Sequence, residues 1–245
     1  MSSFLATKPR PITYPDSDGE PLADNTIQFD AIMTIESNLE ILFRDDPQVF
    51  VAGDLLWYPV EGNNKLRAAP DAMVAFGVPK GDRSSYRQWE ENDIPPQVVF
   101  EVLSPGNRTG EMTRKFAFYD EHGVEEYYIF DPDDGHWDGW LRQDGRLRPI
   151  DSTIGWISPQ LKIRFEQHPN GDLLLFHPDG ERFLSSLEMD SGRREALEAT
   201  QLERLAREQA QRRADQAQQQ AAQAQQRADR LAEQLRAAGI EPSEA

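Results

Sequence analysis

Residues 97–104 read QVVFEVLS, a β-branched apolar run with one carboxylate, Glu101, in its middle. A short run rich in Val and Phe, closed by Pro105, predicts a strand. Alternation puts Val99, Glu101 and Leu103 on one face and Val98, Phe100 and Val102 on the other. Both sets are mainly apolar, so this strand belongs at the centre of a sheet covered on both sides. A glutamate there needs a counterpart, because an unpaired ionised carboxylate is costly to bury. That counterpart is a metal ion, a Lys or Arg, or a proton.

The flanking segments give the strand its neighbours. PDAMVAFGV (70–78) reads as a second strand that opens with Pro, where a strand start tolerates it, and Asp71 follows at once. VFVAGDLLWYPV (49–60) reads as a further strand, ended by Pro59 and the turn EGNN. GDRSSYRQWEENDIPP (81–96) is a polar loop long enough to carry a role of its own. Upstream, Ile27, Ala31, Ile35, Leu39 and Leu42 recur at helical spacing over 25–43, with Asn25 placed to cap the first turn.

Downstream, TGEMTRKFAFYDEHG (109–123) predicts a helix whose Met112, Phe116 and Tyr119 share a face and whose Gly123 sits where a C′ residue belongs. EEYYIFDP (125–132) is the next strand; GWLR (139–142), LKIRFEQ (161–167) and DLLLFH (172–177) read as peripheral antiparallel strands. Helix, strands, helix and strand in this order predict an α/β fold, a mixed central sheet flanked by helices.

Three parts are expected along the 245 residues. Residues 1–24, rich in Pro, Asp, Ser and Gly, form an irregular arm. Residues 25–188 form the α/β domain. Residues 189–245 turn to Ala, Gln, Glu and Arg and form a long C-terminal helix. There Ala210, Ala214, Ala217, Ala221, Ala224, Ala228, Leu231, Leu235 and Ala238 alternate steps of four and three, a heptad seam for a coiled coil. Leu202 and Ala206 join it only through a stutter, and Gly239 and Pro242 end the helix. The seam predicts a homodimer or a partner helix.

Composition limits the classes. There are no cysteines, which excludes disulfide and thiolate chemistry and suits a reducing cytoplasm. No apolar run approaches the ~20 residues of a membrane helix, and the N-terminus lacks the apolar stretch of a secretory signal, so a cytoplasmic protein without a membrane partner is expected. The formal net charge is −17, unlike the basic balance usual for nucleic-acid binders. DNA binding would need a local patch, for which Lys80, Arg83, Arg87, Arg108, Arg114 and Lys115 are close enough in sequence. His122, His136, His168 and His177 are scattered near turns and read as surface residues.

If the strands of Asp71 and Glu101 pair, both carboxylates reach one edge of the sheet. With backbone carbonyls and water they make a hard oxygen site suited to Mg²⁺ or Mn²⁺. Lys115 lies on the helix that follows, which a short loop folds back over the sheet. Its ammonium could orient or deprotonate a water, or stabilise developing charge. Two acids and a lysine around a divalent ion are the parts of phosphodiester hydrolysis. If Glu101 is instead half of a structural salt bridge, removing it costs ~3–5 kcal/mol.

These stretches also carry a resemblance. PDAMVAFG, PPQVVFEVLSPGNR and EMTRKFAFYDEHGVEEYYIFDPD, with TYPDSDGEPLADN near the start, resemble the restriction endonuclease family of the PD-(D/E)XK nuclease superfamily over residues 11–180. The resemblance implies a restriction-endonuclease-like fold, Asp71 and Glu101 as metal ligands, and DNA as substrate. Leu103 stands where the superfamily motif has lysine; the family places a lysine on the following helix, here Lys115. Glu36, Gln28, Asp54, Tyr119 and Ser104 are auxiliary candidates, each with a structural explanation as well. The expected function is a Mg²⁺-dependent DNA endonuclease. The alternative is a catalytically silent nuclease-fold interaction protein working through its coiled coil.

Overall fold

The computed structural model describes residues 12–19, 21–104, 109–167 and 173–238. Pro105, Arg108, His168, Gly239 and Pro242 lie outside the described residues. The chain forms two units, Met1–Ser186 and Leu187–Ala245.

In chain order the elements are α1 (Thr26–Leu42), β1 (Val49–Ala52), β2 (Trp57–Tyr58), β3 (Ala72–Phe76), β4 (Tyr86–Arg87), β5 (Val98–Val102), α2 (Thr109–Glu121), β6 (Glu126–Asp131), β7 (His136–Gln143), β8 (Arg146–Pro149), β9 (Arg164–Gln167), β10 (Leu173–Phe176) and α3 (Ser186–Ala237). A six-stranded sheet has the order β1-β3-β5-β6-β7-β8. The β5–β6 pair is parallel and the other pairs are antiparallel. This is the mixed α/β sheet expected, with β5 in its interior. Two small pairs, β2–β4 and β9–β10, stand apart from it.

Alternation along β5 sorts the core into two layers. Val98, Phe100 and Val102 meet Ile32, Ile35 and Leu39 of α1, with Phe165 and Leu175 of β9–β10. Val99 faces the other way, into Tyr119, Val124, Tyr127 and Trp57. All five β5 residues are buried. At ~25 cal/mol per Å² of apolar area removed from water, these two layers are the main force holding the sheet.

Asn25 caps α1 through Oδ1, which accepts from the Gln28 amide at 2.9 Å. The buried face is rotated from the predicted one: Ile27 is 60% exposed, whereas Ile32 is buried. The 49–60 strand is broken. The chain turns at Gly53 and at Asp54, whose φ is +48°, and resumes as β2. A Cβ on Gly53 would stand 3.1 Å from the Asp71 carbonyl oxygen, a tight contact that glycine avoids. The 81–96 loop contributes β4 and the fully buried Tyr86. GWLR lies inside β7 of the main sheet and not at its periphery, because β7 pairs along the whole of β6.

The arm is irregular where described, but it is tied down. Tyr14 packs on Tyr58 and Trp89, and the Tyr58 hydroxyl donates to the Pro15 carbonyl at 2.7 Å. His122 and His177 are half-buried, not surface residues: His122 packs on Trp57 and Phe118, and His177 meets Asn38. The basic cluster is largely neutralised, since Lys80, Arg83 and Arg87 pair with Glu40, Glu91 and Glu90.

The second unit is α3, a helix of 52 residues that buries none of them. Leu231 is 59% exposed. No helix among the described residues is long and apolar enough to cross a membrane.

Candidate active site

The β3–β5 ladder pairs Ala72 with Phe100 and Met73 with Val99. One step further along this register puts Asp71 beside Glu101. Asp71 Oδ2 accepts the Val102 amide at 2.6 Å, which fixes its carboxylate at the end of the ladder. Glu101 is 2% exposed and points to the α2 side of the sheet.

Two α2 side chains one turn apart hold Glu101. Lys115 Nζ donates to Oε2 at 2.6 Å, and the Tyr119 hydroxyl donates to Oε1 at 2.5 Å. Spacing i, i+4 on a helix puts both donors on one face. Lys115 also reaches the Ala69 carbonyl at 3.3 Å, on the segment leading into β3. Glu101 thus finds a cation on the neighbouring helix, one of the three counterparts its burial demanded.

The electrostatics follow from this crowding. Burial, then repulsion from Glu101, raises the Asp71 carboxyl well above its ordinary value; attraction to Lys115 and the Val102 amide only partly oppose them. Burial disfavours the Lys115 ammonium, but Glu101, Asp71 and Glu111 outweigh it and hold its pKa above that of a free lysine. Lys115 is therefore an ammonium at neutral pH. Burial and the adjacent Glu101 carboxylate likewise hold the Tyr119 phenol protonated.

Asp71, Glu101 and Lys115 line one cleft of about 710 Å³. Asp54, brought beside Asp71 by the bend at Gly53, lines it too; its amide donates to the Pro70 carbonyl at 3.0 Å. Partial burial, then Asp18, raises the Asp54 carboxyl. Gln28 also borders the cleft, and its Nε2 donates to the Val102 carbonyl at 2.9 Å, tying the first turn of α1 to the end of β5. Ser104 donates to Asp24 at 2.5 Å, joining the arm to the same strand end. Ser104 and two other candidates fall outside the cleft lining. Glu36 packs against Gly53, and Tyr119 stands behind Glu101.

Sequence reading did not single out Asp24, Arg67 or Phe118 as site residues, though all line the cleft. Spacing could have found Phe118: Glu111, Arg114, Lys115 and Phe118 follow i, i+3, i+4 and i+7 on one helix face. It also missed Glu126. This carboxylate is fully buried and accepts from the Tyr128 and Ser158 hydroxyls and, at 2.6 Å, from the Gln160 amide. These bonds pin the 158–161 turn to β6. Burial raises the Glu126 pKa against those bonds.

A mixed sheet with helices on its faces and two carboxylates at one strand end is the architecture of a restriction-endonuclease-like domain. The model of the Uma2 family, described as "Putative restriction endonuclease", matches residues 13–163, more than half of the chain. The protein belongs to this family, a family of the nuclease class. Among solved structures it is similar to one titled as a "putative nuclease belonging to DUF820" from Anabaena variabilis, at 15% identity and a TM-score of 0.42. That similarity covers 55% of this chain and 72% of the other. No curated protein matches the chain.

Proposed function

We propose that the protein is a divalent-metal-dependent endonuclease hydrolysing phosphodiester bonds of DNA. One observation carries this reading: Asp71 and Glu101 sit side by side on neighbouring strands, at a cleft, with a lysine ammonium against them.

The donor set fits Mg²⁺ or Mn²⁺. Two hard carboxylates with water and substrate oxygens suffice, because such ions are commonly held by one or two carboxylates plus phosphate oxygens. Among the described residues no group of three or more His, Cys, Asp or Glu gathers as a cage. Asp71 and Glu101 would hold the ion, and their mutual repulsion is what a dication would relieve. When bound, it polarises the phosphodiester and eases deprotonation of water.

The chain's own groups divide the remaining work. Lys115, an ammonium, orients water and faces the negative charge that develops on phosphate; it is not a base. Tyr119 positions Glu101 from behind, and the Val102 amide positions Asp71. The test is incubation of supercoiled plasmid and single-stranded DNA with the purified protein in Mg²⁺, Mn²⁺ or EDTA. Nicking is expected only with metal, and a loss of at least ~100-fold is expected in Asp71→Ala, Glu101→Ala and Lys115→Ala. Metal-independent cleavage, or cleavage indifferent to all three changes, removes the proposal.

The same reading includes a homodimer formed through α3. Its alanine seam lets two helices approach closely, and two copies would address two strands. Sedimentation of the full chain is expected to show a dimer. Ala217→Glu combined with Ala224→Glu places charge at two seam positions and is expected to yield a monomer. A wild type that sediments as a monomer defeats this part.

A second reading, a silent interaction protein working through α3, is favoured by a specific observation. Both Glu101 oxygens already have donors, Lys115 and Tyr119. Failure of the wild type to cleave any nucleic acid, with α3 pairing intact, selects it.

A further inference from the structure

Six carboxylates line the cleft, including Asp18, Asp24 and Glu111, against three cations: Arg67, Arg114 and Lys115. Lys115 is committed to Glu101. Arg114 is exposed and makes no ion pair among the described residues. Arg67 lines the cleft beside Ala68 and Ala69, and its Nη1 donates to the Tyr58 hydroxyl at 3.4 Å. Tyr58 is itself anchored to the arm through Pro15. Among the described residues, Arg67 therefore meets only a neutral partner, and its charge stays available.

Phe118 completes the set. It shares the cleft-lining face of α2 with Arg114 and Lys115, and it is only partly buried. The Trp57 ring backs it edge-on, with centroids 5.0 Å apart, and His122 packs at 4.6 Å. A partly buried ring that lines the cleft and is packed by Trp57 and His122 offers a surface on which a base can stack. Stacking helps only an unpaired base, because duplex bases are already stacked. The cleft, at about 710 Å³, is of a size that takes small groups such as a single base (about 300–1,000 Å³ for small-ligand sites).

We infer that Arg67, Arg114 and Phe118 form a grip for one nucleic-acid strand, the two guanidiniums on phosphates and the ring on a base. This rests on the nuclease reading for the class of ligand and goes beyond it in naming the strand state and the contacts. Acidic surroundings limit the grip to few phosphate contacts, so its salt dependence is shallow. Two contacts to a single strand predict a slope of log K against log salt of about −1.4.

The test is fluorescence anisotropy of the full chain in EDTA, with a labelled single-stranded oligonucleotide and a blunt duplex of the same sequence. The strand is expected to bind at least ~5-fold more tightly than the duplex. Arg67→Ala and Arg114→Ala are each expected to flatten the slope to about −0.7. Phe118→Leu, which keeps an apolar side chain against Trp57, is expected to weaken strand binding ~5-fold or more and to leave duplex binding unchanged. Lys65→Ala, at an exposed residue outside the cleft lining, is the control and should bind as wild type. Thermal melts confirm folding; Arg67→Lys and Arg114→Lys, which keep the charge, should retain the slope.

A wild type that binds no nucleic acid, prefers duplex, or is unmoved by the three changes overturns the inference. The nicking assay separates the two claims. A protein that grips the strand through these residues yet never nicks defeats the nuclease reading alone. One that nicks at wild-type rate as Arg67→Ala and Arg114→Ala defeats the grip alone.

Discussion

Lys115→Met is expected to destabilise the protein by about 3–5 kcal/mol at neutral pH. Glu101 is 2% exposed and Lys115 is its cation, 2.6 Å away. Methionine preserves the bulk of the stem but leaves the carboxylate buried with one donor, Tyr119. Half of an ion pair is worse than none, because the remaining charge keeps its desolvation cost and loses its Coulomb partner. Urea melts of variant and wild type at pH 7 measure the loss. A loss below ~1 kcal/mol would mean that the pair holds no structural tension. On the proposed function, nicking should also fall by at least ~100-fold even where the variant is folded, because the ammonium is the charge proposed to face the phosphate.

The centre of the fold was legible because its signals were local. QVVFEVLS (97–104) announced a two-faced strand, and β5 does pack on both sides with Glu101 facing α2. Lys115 was placed near Glu101 by connection length, and by the family resemblance that puts a lysine on the following helix. The break in 49–60 was not legible. Its apolar residues continue past Gly53, and the bend lies where Gly53 comes close to the backbone of Asp71, a contact between distant segments. The rotation of α1 has the same kind of cause. Ile27 and Ile32 are alike in hydropathy, and only the position of the sheet decides which is covered. Glu126 was invisible for a further reason. In EEYYIFDP it adjoins another glutamate and looks like a strand-start turn, and its burial depends on Ser158 and Gln160, more than thirty residues on. The basic cluster failed as a surface patch because carboxylates nearby in space, such as Glu40, neutralise it. A count of charges along the chain does not reveal that pairing.

Asp71→Asn is expected to make the metal-free protein more stable, by about 0.5–2 kcal/mol, and to abolish the metal-dependent nicking proposed above. The Asp71 carboxyl is raised first by burial and then by Glu101, so at neutral pH its ionisation works against the fold. Asparagine is nearly isosteric. Its carbonyl oxygen can still accept the Val102 amide, the one contact that fixes Asp71 at the ladder end. What disappears is the charge. The sign follows from proton counts: the native state binds the Asp71 proton more tightly than the unfolded chain, so wild-type stability falls as pH rises from ~3.9 towards the folded pKa. The variant lacks this titration. The two curves should meet near pH 4 and separate above it, with Asp71→Asn uppermost. Adding Mn²⁺ should reverse the order, since a ligand that binds only the native state raises its stability, and the variant has lost one of the two carboxylates that would hold it. Thermal melts of both proteins across pH 4–8, with EDTA or Mn²⁺, decide the matter. If Asp71→Asn is less stable than wild type in EDTA at pH 7, the aspartate is there for structure and the case for a cation at this strand end is lost. If it is more stable in EDTA but wild type gains nothing from Mn²⁺, the carboxylates are strained against each other without an ion to reconcile them. If both expectations hold, stability is given up at Asp71 in order to keep two negative charges together, and a dication is the simplest reason for a chain to do so.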